Sequence, residues 1–117
     1  MTLAFQLAQS VTATRFGDLP PLTLERAKMS LASTVASCAM GFHIASTKVI
    51  RAIEIENAGA THSTVWFDGI KLPVASAARL NAVSSDAAAS DDSDMRSIAH
   101  IGTIVSSSSI AMAEKLG

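Results

Sequence analysis

Residues 63–82 read STVWFDGIKLPVASAARLNA, and the change of pattern inside this stretch decides the fold class. Its first half places β-forming residues on both sides of Asp68 and Gly69, a pair suited to a two-residue turn between antiparallel strands. Its second half, beyond Pro73, is rich in alanine, with Leu80 and then Val83 at helical spacing. We therefore expect a small β-hairpin that gives way to an α-helix.

Apolar residues upstream of this stretch recur at helical spacing and predict further helices. The first follows a Thr2 N-cap and ends near Gly17, and its apolar residues are Leu3, Leu7 and Val11. The second is capped by Thr23, after the breaker at residues 18–21. Its apolar stripe comprises Leu24, Ala27, Leu31, Val35, Cys38 and Phe42. Both patterns are typical of helices that pack one face against a core.

A third upstream helix and a last helix complete the pattern. The third starts at a Ser46 cap and stops at Gly59, and its inward-facing residues are Val49, Ile50 and Ile53. The last runs from Gly102 to Lys115. These elements predict a mainly α chain of about five helices with one short hairpin, without a repeat or a linker. The last helix carries apolar residues up to the end of the sequence, so we expect further structure to cover them.

Composition restricts the classes of partner. The 117 residues include 9 basic and 10 acidic side chains, for a net charge of −1, so no basic patch for nucleic acid or for a membrane surface is predicted. Cys38 is the single cysteine, which excludes an internal disulfide. The sequence shows neither a signal peptide nor an apolar run long enough to span a membrane. We expect a cytoplasmic protein.

One loop concentrates the reactive side chains. Residues 90–100 read SDDSDMRSIAH and contain three carboxylates and one histidine. The carboxylates could bind a hard cation, although the glycine and the distal glutamate of an EF-hand loop are absent. Alternatively, His100 could act as a general acid or base oriented by an aspartate. Spacing alone favours a third interpretation, a solvated turn whose Asp and Ser residues cap the helix that starts near His100.

Four segments together resemble the MmgE/PrpD family, whose members include 2-methylcitrate dehydratase, cis-aconitate decarboxylase and iminodisuccinate epimerase. They are FGDLP at 16–20; STVW at 63–66 with LPVASAARLNA at 72–82; DDSD at 91–94; and AHIGTIV to AMAEKLG from 99 to 117. The resemblance covers nearly the whole chain. It implies that residues 1–117 are the N-terminal part of a larger all-helical domain, and that the lid domain and the C-terminal portion lie outside this sequence.

The resemblance also implies a set of site residues. Asp91 and Asp92 match the family's Asp-Asp pair, Ser93 stands at its Thr, and His100 matches the histidine of its His-Pro. The implied catalytic residues are His100, Asp91 and Asp92, and the implied substrate-binding residues are Ser93, Asp86 and Arg96. No metal and no organic cofactor is implied. The sequence departs from the family at Ala89, where an acid is usual, and at Ser90 and Ile101. Asp86, which we expect on one helical face with residues 89–90, is a candidate replacement for that acid.

The implied function is that of a lyase or isomerase, namely a hydro-lyase, a decarboxylase or an epimerase. Its substrate is a small di- or tricarboxylate, and it moves a proton next to a carboxylate. The implied assembly is a homodimer, or a pairing with a chain that supplies the missing portion, and the 117 residues alone are expected to be inactive. An alternative function is a helical interaction or assembly module that has lost catalysis.

Other reactive side chains favour structural interpretations. His43 follows the second helix and is placed to cap its last carbonyl groups. His62 lies in a polar turn and is expected in solvent. Cys38 lies on an apolar stripe and is expected to be a buried, unreactive thiol. Trp66 is expected to anchor packing.

Overall fold

The computed structural model describes all of residues 1–117. Five α-helices account for most of the chain, and two short strands form one antiparallel sheet. The elements are α1 (Leu3–Ala13), α2 (Pro21–Gly41), α3 (Ala45–Glu56), β1 (Ser63–Thr64), β2 (Lys71–Leu72), α4 (Val74–Ala87) and α5 (Ile101–Leu116). The predicted fold class, mainly α with one hairpin, is confirmed. No helix combines the length and the apolar character that crossing a bilayer requires.

The hairpin has a longer connection than the sequence predicts. Thr64 pairs with Lys71, and the Val65 N–H donates to the Ile70 carbonyl at 2.9 Å, which leaves residues 66–69 as the loop. Phe67 and Gly69 have φ angles of 65° and 75°, in the left-handed region. The prediction of a two-residue turn at Asp-Gly is therefore wrong, because the strand register places a four-residue connection there.

Side chains from α4 and α5 hold the hairpin in place. The Asn81 amide, buried on α4, accepts from the Trp66 N–H at 2.9 Å and donates to the Thr64 carbonyl at 3.0 Å. The Ser63 hydroxyl donates to the Ala111 carbonyl on α5 at 2.6 Å. An apolar cluster lies beneath, formed by Val65, Leu72, Ala77 and Leu80. The quoted stretch decides the fold because its two halves pack against each other.

Helices α2 and α4 approach closely at a glycine. A Cβ atom added to Gly41 would lie 1.9 Å from the Ser84 carbonyl oxygen and 3.3 Å from the Ala87 Cβ. Since the first of these contacts is with backbone, no side-chain rotation relieves it. Helix α4 packs mainly against α2 and α5, so it is the centre of the fold.

The core is small and mostly polar. Ten polar or charged residues are buried, against six hydrophobic ones. Several of the buried hydroxyl groups donate to carbonyls of their own helix, as Ser84 does to Leu80 at 2.7 Å and Thr34 to Ser30 at 2.9 Å. Such bonds let small polar side chains fill the space between closely packed helices without leaving a buried donor unpaired.

Helix starts agree only in part with the predicted caps. Thr2 caps α1 as expected, accepting from the Phe5 N–H at 3.3 Å, but α1 ends at Ala13 and a short 3-10 helix follows. Thr23 and Ser46 lie inside helices that start at Pro21 and Ala45, so both predicted caps are wrong. Proline is favoured at the first helical position because its missing N–H and fixed φ fit there.

The apolar faces of α1 and α3 differ from the predicted ones. No residue of α1 is buried, and Leu3, Leu7 and Val11 are all exposed. Helix α3 buries Thr47 and Glu54, while Val49 and Ile53 face solvent; of the three residues predicted to face inward, only Ile50 does. Glu54 pairs with Arg79 of α4 at 2.7 Å, which compensates its buried charge.

Candidate active site

The loop that joins α4 to α5 is ordered by its own backbone. Helix α4 ends at Ala87, and Ala89 adopts a φ angle of 49°, so the helix does not continue through residues 89–90. The expectation that these residues share a helical face with Asp86 is therefore wrong. Further along, the Asp94 N–H donates to the Ala99 carbonyl at 3.0 Å and closes the loop immediately before His100.

Asp91 and His100 form a close pair at the start of α5. The Asp91 Oδ2 lies 2.9 Å from the His100 Nδ1, and it also accepts from the Thr103 hydroxyl at 2.7 Å. The Asp91 side chain is 1% exposed, whereas that of His100 is 47% exposed. The histidine is thus open to solvent on one side and fixed on the other by a buried carboxylate.

Asp92 joins three elements behind that pair. Its carboxylate accepts from the Gly102 N–H at 3.0 Å and from the Ser30 hydroxyl of α2 at 3.2 Å. Its carbonyl oxygen lies 3.1 Å from the His100 Nδ1. The expected cap on the last helix is therefore present. The capping group is the Asp92 carboxylate, which accepts from the Gly102 N–H ten residues later in the chain.

A cavity of about 310 Å³ opens beside His100. Its lining residues are Ala82, Val83, Asp86, Ala99, His100, Thr103 and Ile104. We call it the α5 cavity. Ligating atoms of Asp86, Asp91 and His100 lie within 4.8 Å of one another. The fold thus brings Asp86 to the site although the helical-face argument for it fails.

The remaining predicted site residues lie outside this cavity. Ser93 is exposed and makes no hydrogen bond with its side chain. Arg96 is 95% exposed at its side chain, and its single ion pair is with Asp94 at 3.7 Å. Hydrogen bonds from Ser97 and from the Arg96 backbone lower the pKa of Asp94. No lysine or arginine lines the α5 cavity.

Comparison with known proteins gives one result. Residues 5–117 match the MmgE/PrpD N-terminal domain. The chain belongs to the MmgE/PrpD family. No curated protein and no solved structure matches it. Members of the MmgE/PrpD family are generally enzymes of the lyase type, and the match to the N-terminal domain alone agrees with the part of the family that the sequence resembles.

Sequence reasoning missed three residues that shape the site of this MmgE/PrpD chain. Thr103 donates to Asp91, Ser30 donates to Asp92, and Gly102 provides room for the Asp92 carboxylate. A Cβ atom at Gly102 would lie 2.3 Å from the Asp92 Oδ1. Gly102 and Thr103 lie inside the AHIGTIV segment, which was a signal for them, but Ser30 is 62 residues from its partner and had none.

A second cavity, of about 450 Å³, lies near the hairpin loop and is called the hairpin cavity here. Its lining residues are Phe42, His43, Lys48, Arg51 and Asp68. Arg51 binds Asp68 with two hydrogen bonds, one of them 2.9 Å long, and this contact raises the pKa of Arg51. His43 contacts Phe42 edge-on at 5.2 Å between ring centroids. It makes no hydrogen bond with the α2 carbonyls, so the predicted capping role for His43 is wrong.

The predictions of a buried Cys38 and an exposed His62 are confirmed, while Trp66 lies outside the apolar cluster beneath the hairpin. Cys38 is fully buried, and burial raises the pKa of its thiol from 9.0 to about 11. His62 is exposed before the hairpin, and Trp66 is half-buried within it.

Proposed function

We propose that this MmgE/PrpD chain is the catalytic N-terminal portion of a lyase or isomerase that acts on a small di- or tricarboxylate. The reaction class is proton transfer at a carbon next to a carboxylate, as in 2-methylcitrate dehydration. The family match supports the enzyme class, and the His100 site supports the chemistry. We further propose that the enzyme works in the cytoplasm as a homodimer.

The pairing of His100 with Asp91 carries this proposal. Two acceptors face the His100 Nδ1, namely the Asp91 carboxylate at 2.9 Å and the Asp92 carbonyl at 3.1 Å. A proton on Nδ1 satisfies both, which leaves Nε2 with its lone pair free for a substrate. A histidine held in one tautomer by a buried carboxylate is the arrangement that general acid-base catalysis needs.

The chemical step follows from that tautomer. The His100 Nε2 takes the proton from the carbon, and the substrate carboxylate next to that carbon delocalises the electron pair left behind. Loss of hydroxide as water from the neighbouring carbon, with the proton returned by His100, completes a dehydration. Delivery of a proton to the opposite face of the carbon, by a second acid from a further part of the enzyme, completes an epimerisation. In this proposal, backbone N–H groups in the first turn of α5 other than that of Gly102, which Asp92 binds, favour negative charge on the substrate.

The charges that line the α5 cavity indicate which groups the rest of the enzyme must contribute. The α5 cavity contains Asp86 and no lysine or arginine, so it does not by itself attract a polycarboxylate. We propose that cationic side chains from further parts of the enzyme, in the same chain or in a partner subunit, bind the substrate carboxylates. In this proposal Ser93 and Arg96 contact the substrate only if the loop or the partner brings them to it.

The test is turnover by the full-length enzyme with and without His100. The substrates are 2-methylcitrate, cis-aconitate and iminodisuccinate, followed by chromatography of the products. We expect His100→Ala to lower turnover of the accepted substrate by at least about 100-fold, the contribution typical of a general acid or base. The matched control is His62→Ala, since His62 is exposed and distant in sequence from the site. Equal turnover in both variants would refute the assignment of His100.

A second candidate function, assembly without catalysis, is favoured by one observation. Helix α1 exposes Leu3, Leu7 and Val11, and residues 1–14 contain no charged side chain. Because two uncharged apolar faces meet without charge repulsion, the proposed occupant is a second copy of the chain. Light scattering on the wild type and on Leu7→Gln tests it. A dimer that Leu7→Gln dissociates, in a protein without turnover, supports the assembly role; a monomeric wild type excludes it.

A further inference from the structure

The carboxylates around the α5 cavity lack compensation by a fixed positive charge. Asp86, Asp91 and Asp92 surround the start of α5, and none of them has a lysine or arginine nitrogen within 4.0 Å. The one group nearby that can carry positive charge is the His100 ring, at 2.9 Å from Asp91. Closely spaced negative charges repel one another, and a bound cation relieves that repulsion. A cluster of this composition therefore attracts cations.

A buried oxygen without a partner points to a ligand. The Asp91 Oδ2 accepts two contacts, but its Oδ1 is buried and receives no hydrogen bond, on a side chain that is 1% exposed. A buried carboxylate oxygen without a donor is costly, and protein structures rarely leave one in that state. A metal ion satisfies such an oxygen without any further donor from the protein.

We infer that Asp86, Asp91 and His100 form a binding site for a divalent metal ion of the Mn²⁺ kind. Ligating atoms of the three residues lie within 4.8 Å of one another, so small side-chain movements bring them to one ion. Two carboxylates with one imidazole suit Mn²⁺, since oxygen ligands favour it and imidazole is tolerated.

The surroundings supply the outer contacts that metal ligands require. Thr103 donates to Asp91 at 2.7 Å and orients its carboxylate. Asp86 is exposed at the end of α4, and His100 is about half exposed, so the ion reaches the site from solvent. The three ligands come from α4, from the loop and from the residue before α5, so a bound ion would fix the loop between the two helices.

The inference goes beyond the proposed catalysis and does not depend on it. An ion bound by the His100 ring would occupy a nitrogen that the proposed catalysis uses, so the ion would compete with turnover, and its binding is measurable in the absence of any substrate. Failure of the metal site and failure of the catalytic proposal are therefore separate results.

The experiment is a titration of the metal-free full-length protein with MnCl₂, followed by electron paramagnetic resonance of the free ion. We expect one ion per chain, and an affinity reduced at least about tenfold in Asp86→Asn and in His100→Gln, the range typical for loss of metal-site groups. Asp94→Asn is the matched control, since it removes the same charge from the loop that follows α4, outside the cluster. We expect it to bind Mn²⁺ as the wild type does.

Two results would overturn the inference. The first is a wild type that takes up no Mn²⁺ at millimolar concentration. The second is equal weakening by Asp94→Asn and Asp86→Asn, which would indicate diffuse attraction to an acidic loop. Circular dichroism of each variant shows whether it is folded, and Asp86 is exposed, so its substitution leaves the core intact.

Discussion

A carboxylate lies in or beside each of the two cavities of this chain, and the group that balances its negative charge differs between them. In the hairpin cavity, Asp68 is bound by the Arg51 guanidinium through two hydrogen bonds. Beside the α5 cavity, the buried Asp91 contacts the His100 ring and the Thr103 hydroxyl. Arginine stays protonated at every accessible pH, whereas histidine gains and loses its proton near neutrality.

The difference distinguishes a site with a fixed ion pair from the site at which we propose catalysis. A guanidinium fixed by a carboxylate neither donates nor accepts a proton in a reaction, so the hairpin cavity keeps its charge pattern constant. The α5 cavity has no lysine or arginine that fixes its charge in this way. This difference supports the proposal that proton transfer takes place in the α5 cavity, although it is the smaller of the two, at about 310 Å³ against 450 Å³.

The largest expected effect comes from Gly41, which lies between the cavities. The next residue, Phe42, lines the hairpin cavity. Gly41 itself contacts the turn of α4 that carries Asp86. Gly41→Ala should lower the free energy of unfolding by about 3 kcal/mol, because the new Cβ overlaps the Ser84 carbonyl. Urea denaturation measures this. Gly17→Ala is the control, with no atom within 4 Å of the added methyl group, and an equal loss there would contradict the interpretation.

The next largest effect tests the contacts of Asp92 behind the α5 cavity. Asp92→Ala should cost about 2 kcal/mol, since it leaves the Gly102 N–H uncapped and releases Ser30. Gly102→Ala displaces the same carboxylate, so the double variant should lose less than the sum of the single losses. Ser93→Ala in the same loop should be neutral. Additive losses would show that Gly102 and Asp92 act independently.

A smaller effect tests the fixed pair of the hairpin cavity. Arg51→Lys keeps the charge but loses the two-point contact with Asp68, and should cost about 1 kcal/mol because the pair is partly exposed. Thermal unfolding of the variant gives the value. Lys28→Ala breaks the more exposed pair with Glu25 and should leave the melting temperature unchanged. If Lys28→Ala lowered the melting temperature more than Arg51→Lys did, the ranking of the two ion pairs would be reversed.

The smallest effect at neutral pH concerns Cys38, one turn before Gly41. Its pKa is raised from 9.0 to about 11 by burial, so the folded state retains a proton that the unfolded state loses. Stability should be unaffected below pH 9 and should fall as the pH rises from 9 towards 11. Cys38→Ala should remove this alkaline dependence in denaturation curves. A thiol reagent at pH 8 should modify Cys38 only after unfolding, and rapid labelling of the folded chain would show that α2 is open to solvent.

Local patterns were sufficient for α4 and for the existence of the hairpin. The proline at position 73 and the alanine-rich run after it mark the start of a helix by local chemistry alone. Thr2 likewise caps α1 through a contact three residues away. The proximity of Asp91 and His100 agrees with the sequence interpretation of a histidine oriented by an aspartate.

Local sequence patterns could not predict contacts between residues that are distant in the chain. The Arg51 and Asp68 pair joins α3 to the hairpin loop, and no local spacing indicates it. Helix α3 shows the same limit, because its periodicity allows either of two faces to pack. The face with Glu54 is buried because Arg79 of α4 is there to pair with it. Asp86 lies on α4, and the loop that brings His100 to it contains a left-handed residue, Ala89, that no pattern predicts.

The polar core has a calorimetric consequence. Ten of its buried side chains are polar or charged and only six are hydrophobic, so unfolding hydrates little newly exposed hydrocarbon. Apolar hydration raises the heat capacity and polar hydration lowers it, so the heat-capacity increment of this chain falls below the average per residue. Its stability curve is correspondingly flat, and the free energy of unfolding changes only slowly between cold and warm conditions.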